Sequence, residues 1–208
     1  MARASDSTGT EAPRARRADA RRNAEAILDA AVACLARDPD ASVVDIAASA
    51  GVGRVTLYGH FKTRGELIDA ALVRTVRHAD EVLDATDTAG DPVEAFTRLV
   101  AASWQIVDQF GNILLAAQRE LPAERIRGVH DRVLRRIRSV IQRGRSTGAF
   151  RTDLPMRWMV TTVFSLVHAG AEDAAAGRVK ADQVAGLITT TLLAAFTAPG
   201  AAVPAPHD

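Results

Sequence analysis

Cysteine, aromatic side chains and net charge are all scarce in this chain of 208 residues. The single cysteine, Cys34, excludes an internal disulfide framework and fits a reducing compartment. Aromatic residues make up 4% of the chain, so several of them near one another would indicate an apolar binding site. The formal net charge of +1 excludes a polycation that binds nucleic acid through its overall field. Any contact with DNA must therefore come from a local arrangement of residues.

Long apolar runs and enzyme motifs are missing as well. No stretch approaches the 18 or so apolar residues of a membrane span, and the N-terminus lacks the apolar core of a signal peptide. We therefore expect a cytoplasmic protein with no membrane partner. The chain has no glycine-rich phosphate loop, HExxH, CxxC or Ser-His-Asp set, which argues against a helical enzyme. His168 and Glu172 lie one turn apart without further His or Cys nearby, so a hydrogen-bonded pair is expected there and no metal, cofactor or catalytic residue.

Helical periodicity fills the chain between two irregular ends. Residues 1–18 lack periodicity and are expected to form a disordered basic arm, and residues 199–208, with three prolines, a disordered tail. Between them we find no alternating strand pattern, so the fold class is all-α. The first helix is expected from Asp19 to Arg37. In the second half of the chain, the expected helices cover residues 92–110, 112–120, 123–146, 155–176 and 181–197.

Two short helices joined by a tight turn follow the first helix. Ser42 and Asp45 form a Ser-x-x-Asp start signal for the first of them. Gly51 can adopt positive φ in the turn, and Gly53 can cap a helix from Arg54 to His60. A Thr63-x-x-Glu66 capping box then opens a fourth, longer helix. Packed on the first helix, the two short helices make a helix-turn-helix.

The helix from Arg54 to His60 carries no acidic residue on the face opposite its buried anchors, Leu57 and Phe61. An ordinary solvent face would carry Glu and Lys pairs, whereas this composition suits the major groove of DNA. Valine and threonine can contact thymine methyl groups there, arginine can reach guanine or phosphate, and tyrosine, histidine and lysine can hold phosphates. The expected DNA contacts are Ser42, Gly53, Arg54, Val55, Thr56, Tyr58, Gly59, His60 and Lys62, with Arg17 and Arg21 of the basic N-terminal segment.

This segment of the chain resembles the helix-turn-helix signature of the TetR family of transcriptional regulators. The resemblance covers about residues 21–72 and rests on Asp45-Ile46-Ala47, on the run from Ala50 to Leu67, and on Ile27-Leu28-Asp29-Ala30-Ala31 ahead of them. Gly53 departs from the family, which commonly has Ser or Thr there, and so do Arg64 and Gly65, where Lys and a helix-forming residue are usual. The loss of a side-chain cap for glycine costs a few tenths of a kcal/mol, roughly.

The resemblance implies a helix-turn-helix domain at residues 19–66 and a larger helical domain at 67–198. The larger domain would bind a small effector and form a homodimer through the helices at about 155–176 and 181–197. It implies a repressor that binds a palindromic site on double-stranded DNA and is released by the effector, although an activator is equally compatible. The candidate lining residues of the effector pocket are Trp104, Gln105, Phe110, Trp158, Phe164 and His168.

The richest arginine cluster lies elsewhere, between Arg125 and Arg145. Ile126, Val133 and Ile137 give this segment an apolar stripe, so we interpret it as an amphipathic helix with a solvated arginine face and not as a DNA contact. A helical interaction module that has lost DNA binding is the remaining alternative. The acid-free helix from Arg54 to His60 argues against it.

Overall fold

The computed structural model describes residues 11–198 and 200, with side chains from residue 18 onward. Within this part the chain forms eight helices and no strand apart from an isolated antiparallel bridge between Phe150 and Thr197. The all-α prediction is confirmed. The helices are α1 (Glu11–Arg37), α2 (Val43–Ser49), α3 (Arg54–His60), α4 (Arg64–Ala85), α5 (Pro92–Glu120), α6 (Ala123–Ser146), α7 (Met156–Ala175) and α8 (Ala181–Phe196). None of these helices is long and apolar enough to cross a membrane.

Helix α1 begins at Glu11, eight residues before the expected start. The prediction of a disordered arm over residues 1–18 is therefore wrong for residues 11–18. Alanine and arginine, which dominate this segment, are strong helix formers, and Pro13 falls in the first turn, where its missing N–H breaks no helical hydrogen bond. Residues 1–10 lie outside the described residues, and so does the predicted tail except for Gly200.

Helix α5 is continuous from Pro92 to Glu120, although the sequence predicted a break near Gly111. Its start is well capped, since the Asp91 carboxylate accepts the backbone N–H groups of Val93 and Glu94 at 2.8 and 3.1 Å. Gly111 instead lies within the helix and faces α7. A methyl group at this position would lie 3.5 Å from the Cβ of Ala171, an ordinary van der Waals contact. The glycine therefore does not mark a turn of the chain.

Two clusters of buried residues meet within α4. The first packs α1, α2 and α3 against the N-terminal half of α4. It also takes in Ile126 of α6 and four residues of α5, namely Ile113, Leu114, Ala116 and Ala117. The second starts at Ala79 and Leu83 of α4 and extends through α5, α6, α7 and α8. The change from one to the other falls between Val76 and Ala79, beyond the 66/67 boundary suggested by the sequence.

Three arginines of α6 form ion pairs with carboxylates of α4. The ion pairs join Arg125 to Asp69 at 2.6 Å, Arg132 to Asp80 at 2.7 Å, Arg136 to Asp80 at 3.0 Å, and both Arg132 and Arg136 to Asp84. The side chains of Arg136 and Asp80 are only 17% and 12% exposed. Most arginines of α6 are exposed, in agreement with the expected solvated face, and Arg136 is the exception among those that pair with α4. The sequence of α6 alone does not reveal the carboxylates of α4.

Candidate DNA-binding surface and ligand cavity

Hydrogen bonds at the start of α2 fix the entry to the helix-turn-helix. The backbone N–H of Asp45 donates to Ser42 Oγ at 3.2 Å, and the Asp45 carboxylate accepts the backbone N–H of Ser42 at 3.1 Å. The Ser42 hydroxyl also donates to this carboxylate at 2.5 Å, and these bonds from Ser42 lower the pKa of Asp45. Gly51 has φ +67° in the following turn. The predicted capping box and glycine turn are confirmed.

Helix α3 presents one side to the solvent and holds the other in the core. Leu57 is buried, whereas Val55 is 87% exposed. Gly59 is exposed, with no other group within 4 Å of the position that a side chain would take. The Arg54 guanidinium lies 6.0 Å from the centre of the Tyr58 ring. Arg54, Val55, Tyr58 and Gly59 line one open depression, and α3 contributes no acidic side chain to it.

The remaining predicted contacts lie around this surface. Gly53 caps α3 through its backbone alone, as its missing side chain dictates. Thr56 and His60 are half-buried at the edges of the exposed face. Phe61 is half-buried as well, so it is a weaker anchor than Leu57. These positions make α3 a short helix fixed at one central residue with its outer side open.

Lys62 lies at the C-terminal end of α3. Its Nζ donates to the carbonyl oxygens of Tyr58 and Gly59 at 3.4 and 3.2 Å, where a cation also complements the helix dipole. The capping box expected after it is only half formed. Thr63 accepts the N–H of Glu66 at 3.0 Å, but the Glu66 carboxylate accepts the N–H of Lys62 at 2.6 Å instead of that of Thr63.

The two arginines expected to extend the DNA contact belong to α1. Arg21 is exposed on this helix. The backbone of Arg17 is also helical, while its side chain lies outside the described side chains. The segment that carries them is a helix and not the flexible arm that the sequence suggested.

A cavity of about 80 Å³ lies between α4, α5, α6 and α7. Phe110, Phe164 and His168 line it, as the sequence predicted. The other three candidates do not. Trp104 is buried in the second core cluster, Gln105 is exposed, and Trp158 is 61% exposed on the outer side of α7. The α5 residues that do face the cavity follow a helical stripe that leaves 104 and 105 out, namely Ser103, Ile106, Val107, Phe110, Gly111, Ile113 and Leu114.

Three polar residues line the cavity without having been expected there from the sequence, namely Thr75, Ser103 and His130. His130 is 8% exposed, and its Nδ1 donates to the carbonyl oxygen of Ile126 at 2.8 Å. Burial lowers the pKa of His130, and burial together with the nearby His130 lowers the pKa of His168 to about 4, so both rings are neutral. The helical periodicity of α6 could have identified His130 as an inward-facing residue, since it lies one turn after Ile126 on the apolar stripe.

The two histidines enclose an aromatic ring. The Phe164 centroid lies 5.3 Å from that of His130 and 4.4 Å from that of His168. The expected hydrogen bond between His168 and Glu172 does not occur among the described residues; Glu172 instead lines a neighbouring groove of about 200 Å³ between α5 and α7. No group of three or more metal-ligating side chains is found in the described part of the chain.

The cavity and the helix-turn-helix share a wall. Leu72, Val76, Ile113 and Leu114 line the cavity and also belong to the first core cluster, which contains Leu57 of α3. A change in the cavity therefore acts on side chains that pack directly under the helix-turn-helix.

Comparisons with known proteins agree with this architecture. The family described as "Bacterial regulatory proteins, tetR family" matches residues 27–71. The HTH-type transcriptional repressor LfrR of Mycolicibacterium smegmatis is 31% identical over 182 residues, which are 86% of this chain and 93% of the relative. The crystal structure of LfrR from Mycobacterium smegmatis in complex with proflavine superposes with a TM-score of 0.66 at 30% identity, over 83% of this chain and 94% of that one.

A second solved structure, the fatty acid degradation regulator FadR from Bacillus halodurans, has the same fold. Its TM-score is 0.68 at 21% identity, over 82% of this chain and 94% of that chain. The relatives are transcriptional regulators and not enzymes, which agrees with the absence of catalytic motifs from the sequence. This chain belongs to the TetR family of bacterial transcriptional regulators.

Proposed function

We propose that this regulator is a repressor that binds a palindromic operator as a homodimer and is released by a small-molecule effector. The observation that carries the DNA-binding part is the outer side of α3, where Val55 is 87% exposed beside Arg54, Tyr58 and Gly59. Covering an exposed apolar side chain with a thymine methyl group lowers the free energy of the complex. The helix also lacks any acidic residue that would repel phosphates.

The outer sides of α7 and α8 support the homodimer. Trp158 and Leu187 are large apolar residues left exposed there. Six further exposed positions on these two helices are small and uncharged, namely Thr161, Ser165, Ala169, Thr190, Thr191 and Ala194. Such a surface can pack against a second copy without burying charge. A two-fold axis through it would set two copies of α3 against the two halves of a palindrome.

The shared wall of the cavity supports release by an effector. A ligand that displaces Leu72, Val76, Ile113 or Leu114 shifts the balance between arrangements of the helix-turn-helix, provided that it binds one arrangement more tightly. The relative LfrR is named as a repressor and was crystallised with proflavine. We carry repression and a small aromatic effector over to this chain on that similarity.

Mobility shifts on genomic DNA fragments test the DNA-binding part. The protein should give a sequence-selective shift that weakens with salt. On the selected fragment, Val55→Ala should weaken binding about tenfold, since two methyl groups lose their contact. Arg54→Ala should reduce the salt slope by about one phosphate contact.

Arg127→Ala is the matched control, because Arg127 is an exposed helical arginine of α6 far along the chain from α3. It should bind like the unmodified protein. A chain that shows no selective shift would be an interaction module instead of a repressor. If Arg54→Ala and Arg127→Ala behave alike, Arg54 makes no phosphate contact.

A further inference from the structure

Three of the polar groups that line the cavity, on Thr75, Ser103 and His130, present hydrogen-bond acceptors to it, whereas the neutral ring of His168 carries one donor and one acceptor. Thr75 Oγ1 donates its proton to the carbonyl oxygen of Ala71 at 2.9 Å, and Ser103 Oγ donates to that of Leu99 at 2.7 Å. Each hydroxyl therefore offers only lone pairs to the cavity. His130 donates through Nδ1 to Ile126, so in the neutral ring Nε2 carries a lone pair, and it has no hydrogen-bond partner among the described residues.

Positive charge is absent from the same region. Within the described part of the chain, no Lys or Arg lines either the cavity or the adjoining groove, and no Asp or Glu lines the cavity. The groove adds the carboxylates of Asp108 and Glu172, which accept hydrogen bonds, and the amides of Asn112 and Gln118, which donate and accept them. An anion placed here would lose its hydration without gaining a cation, and two carboxylates would repel it.

The remaining walls are apolar and partly aromatic, with the rings of Phe110 and Phe164 among them. The cavity of about 80 Å³ is smaller than the roughly 150 Å³ that holds benzene in an engineered protein core. The groove of about 200 Å³ shares Val107, Gly111, Leu114 and His168 with it and provides the additional room. A flat ring that starts in the cavity and reaches past His168 fits this shape.

We propose that this site binds an aromatic ligand whose polar groups donate hydrogen bonds, an aryl alcohol or an aryl amine, and that it rejects carboxylates and phosphates. The lowered pKa values of His130 and His168 keep both rings neutral at pH 7, which preserves the acceptor on His130. The inference rests on the proposed effector function, of which it defines the ligand chemistry.

Calorimetry on the full chain without DNA tests this selectivity with four one-ring probes at pH 7.5. Phenol and aniline represent the two donor classes, toluene has no polar group, and benzoate is the anion. Because a neutral hydrogen bond contributes about 0.5–1.5 kcal/mol, the better of phenol and aniline should bind roughly 3- to 10-fold more tightly than toluene. Benzoate should bind at least about 100-fold more weakly than that probe.

Two isosteric variants identify the acceptors. Thr75→Val removes a cavity hydroxyl and keeps its shape, so it should weaken the donor probe about 3- to 10-fold and leave toluene unchanged. Thr97→Val is the matched control, since Thr97 also donates to the carbonyl four residues earlier, Val93, at 2.9 Å but lies outside the cavity. His130→Phe should weaken the binding of the donor probe as Thr75→Val does. If the His130→Phe protein does not fold, Ser103→Ala takes its place in the test.

The proposal is overturned if benzoate binds as tightly as phenol and aniline, if Thr75→Val and Thr97→Val have the same affinity for the donor probe, or if no probe binds. Because these affinities are measured without DNA, they are independent of operator release. A protein that binds phenol or aniline and yet stays on its operator would refute the release mechanism and leave the ligand class intact.

Discussion

Gly144 and Gly128 lie on the same helix, α6, and we expect opposite effects when each is replaced by alanine. Gly144 is buried against the Phe150 ring, and a methyl group there would lie 2.6 Å from Cε2 and 2.8 Å from Cγ of that ring. The ring cannot easily withdraw. Its centroid lies 5.4 Å from that of Phe96 in an edge contact, and its backbone N–H donates to the carbonyl oxygen of Gly144 at 3.0 Å.

The expected magnitudes follow from these contacts. Overpacking of a dense core costs about 1–3 kcal/mol, and the clash with a whole ring puts Gly144→Ala near the upper end. The better helix propensity of alanine returns up to about 1 kcal/mol, which leaves a net loss of about 2 kcal/mol. Gly128 is exposed with no neighbour within 4 Å, so Gly128→Ala should raise the free energy of unfolding by about 0.8–1.0 kcal/mol.

Urea unfolding followed by circular dichroism at 222 nm measures both values, with all proteins at one concentration because dimerisation would contribute to stability. The urea dependence of the free energy should stay the same in all three proteins. A Gly144→Ala protein as stable as the unmodified one would refute the reasoning. So would a shift of equal sign in the two variants, since helix propensity alone would then account for both.

Three further predictions concern the ion pairs, the buried histidine and the dimer. Asp80→Asn should lower the free energy of unfolding by about 3 kcal/mol because Asp80 is the buried one of the two carboxylates that pair with the buried Arg136. Asp84→Asn, at a side chain 52% exposed, should cost less than about 1 kcal/mol, and equal losses in urea unfolding would contradict this. Burial lowers the pKa of His168 from 6.5 to about 4 in the folded chain, so the unfolded state binds more protons between these values. The free energy of unfolding should therefore fall as the pH drops from 6.5 towards 4, by at most about 1.4 kcal/mol per pH unit. His168→Gln should reduce this pH dependence in unfolding experiments. An unchanged pH dependence would show that other groups cause it. In sedimentation at micromolar concentration, the unmodified chain and the control Arg127→Glu should be dimers, whereas Trp158→Glu should be a monomer. A monomeric unmodified chain would remove the basis for a palindromic site.

Features that depend on local sequence could be predicted closely. The bounds of α2, α3 and α6 agree with the sequence, because caps such as Ser42 with Asp45 and turns such as Gly51 act within a few residues. The exposed face of α3 followed from helical geometry once Leu57 was assigned to the core. These signals are contained in single helices and their flanking residues.

Features that depend on contacts between helices could not be predicted in the same way. Three of the six cavity candidates, Trp104, Gln105 and Trp158, do not line the cavity. Their polarity does not distinguish them from the residues that do, because only the packing of the helices decides which side turns inward. Gly111 was interpreted as a chain break because its neighbour on α7, Ala171, is 60 positions away in the sequence. The burial of Asp80 likewise depends on arginines of another helix.

The core beneath the helix-turn-helix limits how this protein can be cut or recombined. Four residues of α5 between Ile113 and Ala117, together with Ile126 of α6, complete that core. A fragment that ends after α4 would therefore leave a broad apolar surface in water. A chimaera that joins this DNA-binding segment to the ligand domain of another regulator must also carry matching residues on α5 and α6. Exchange of such segments between relatives is therefore restricted by side-chain fit, even though the chain connection at α4 is a single uninterrupted helix.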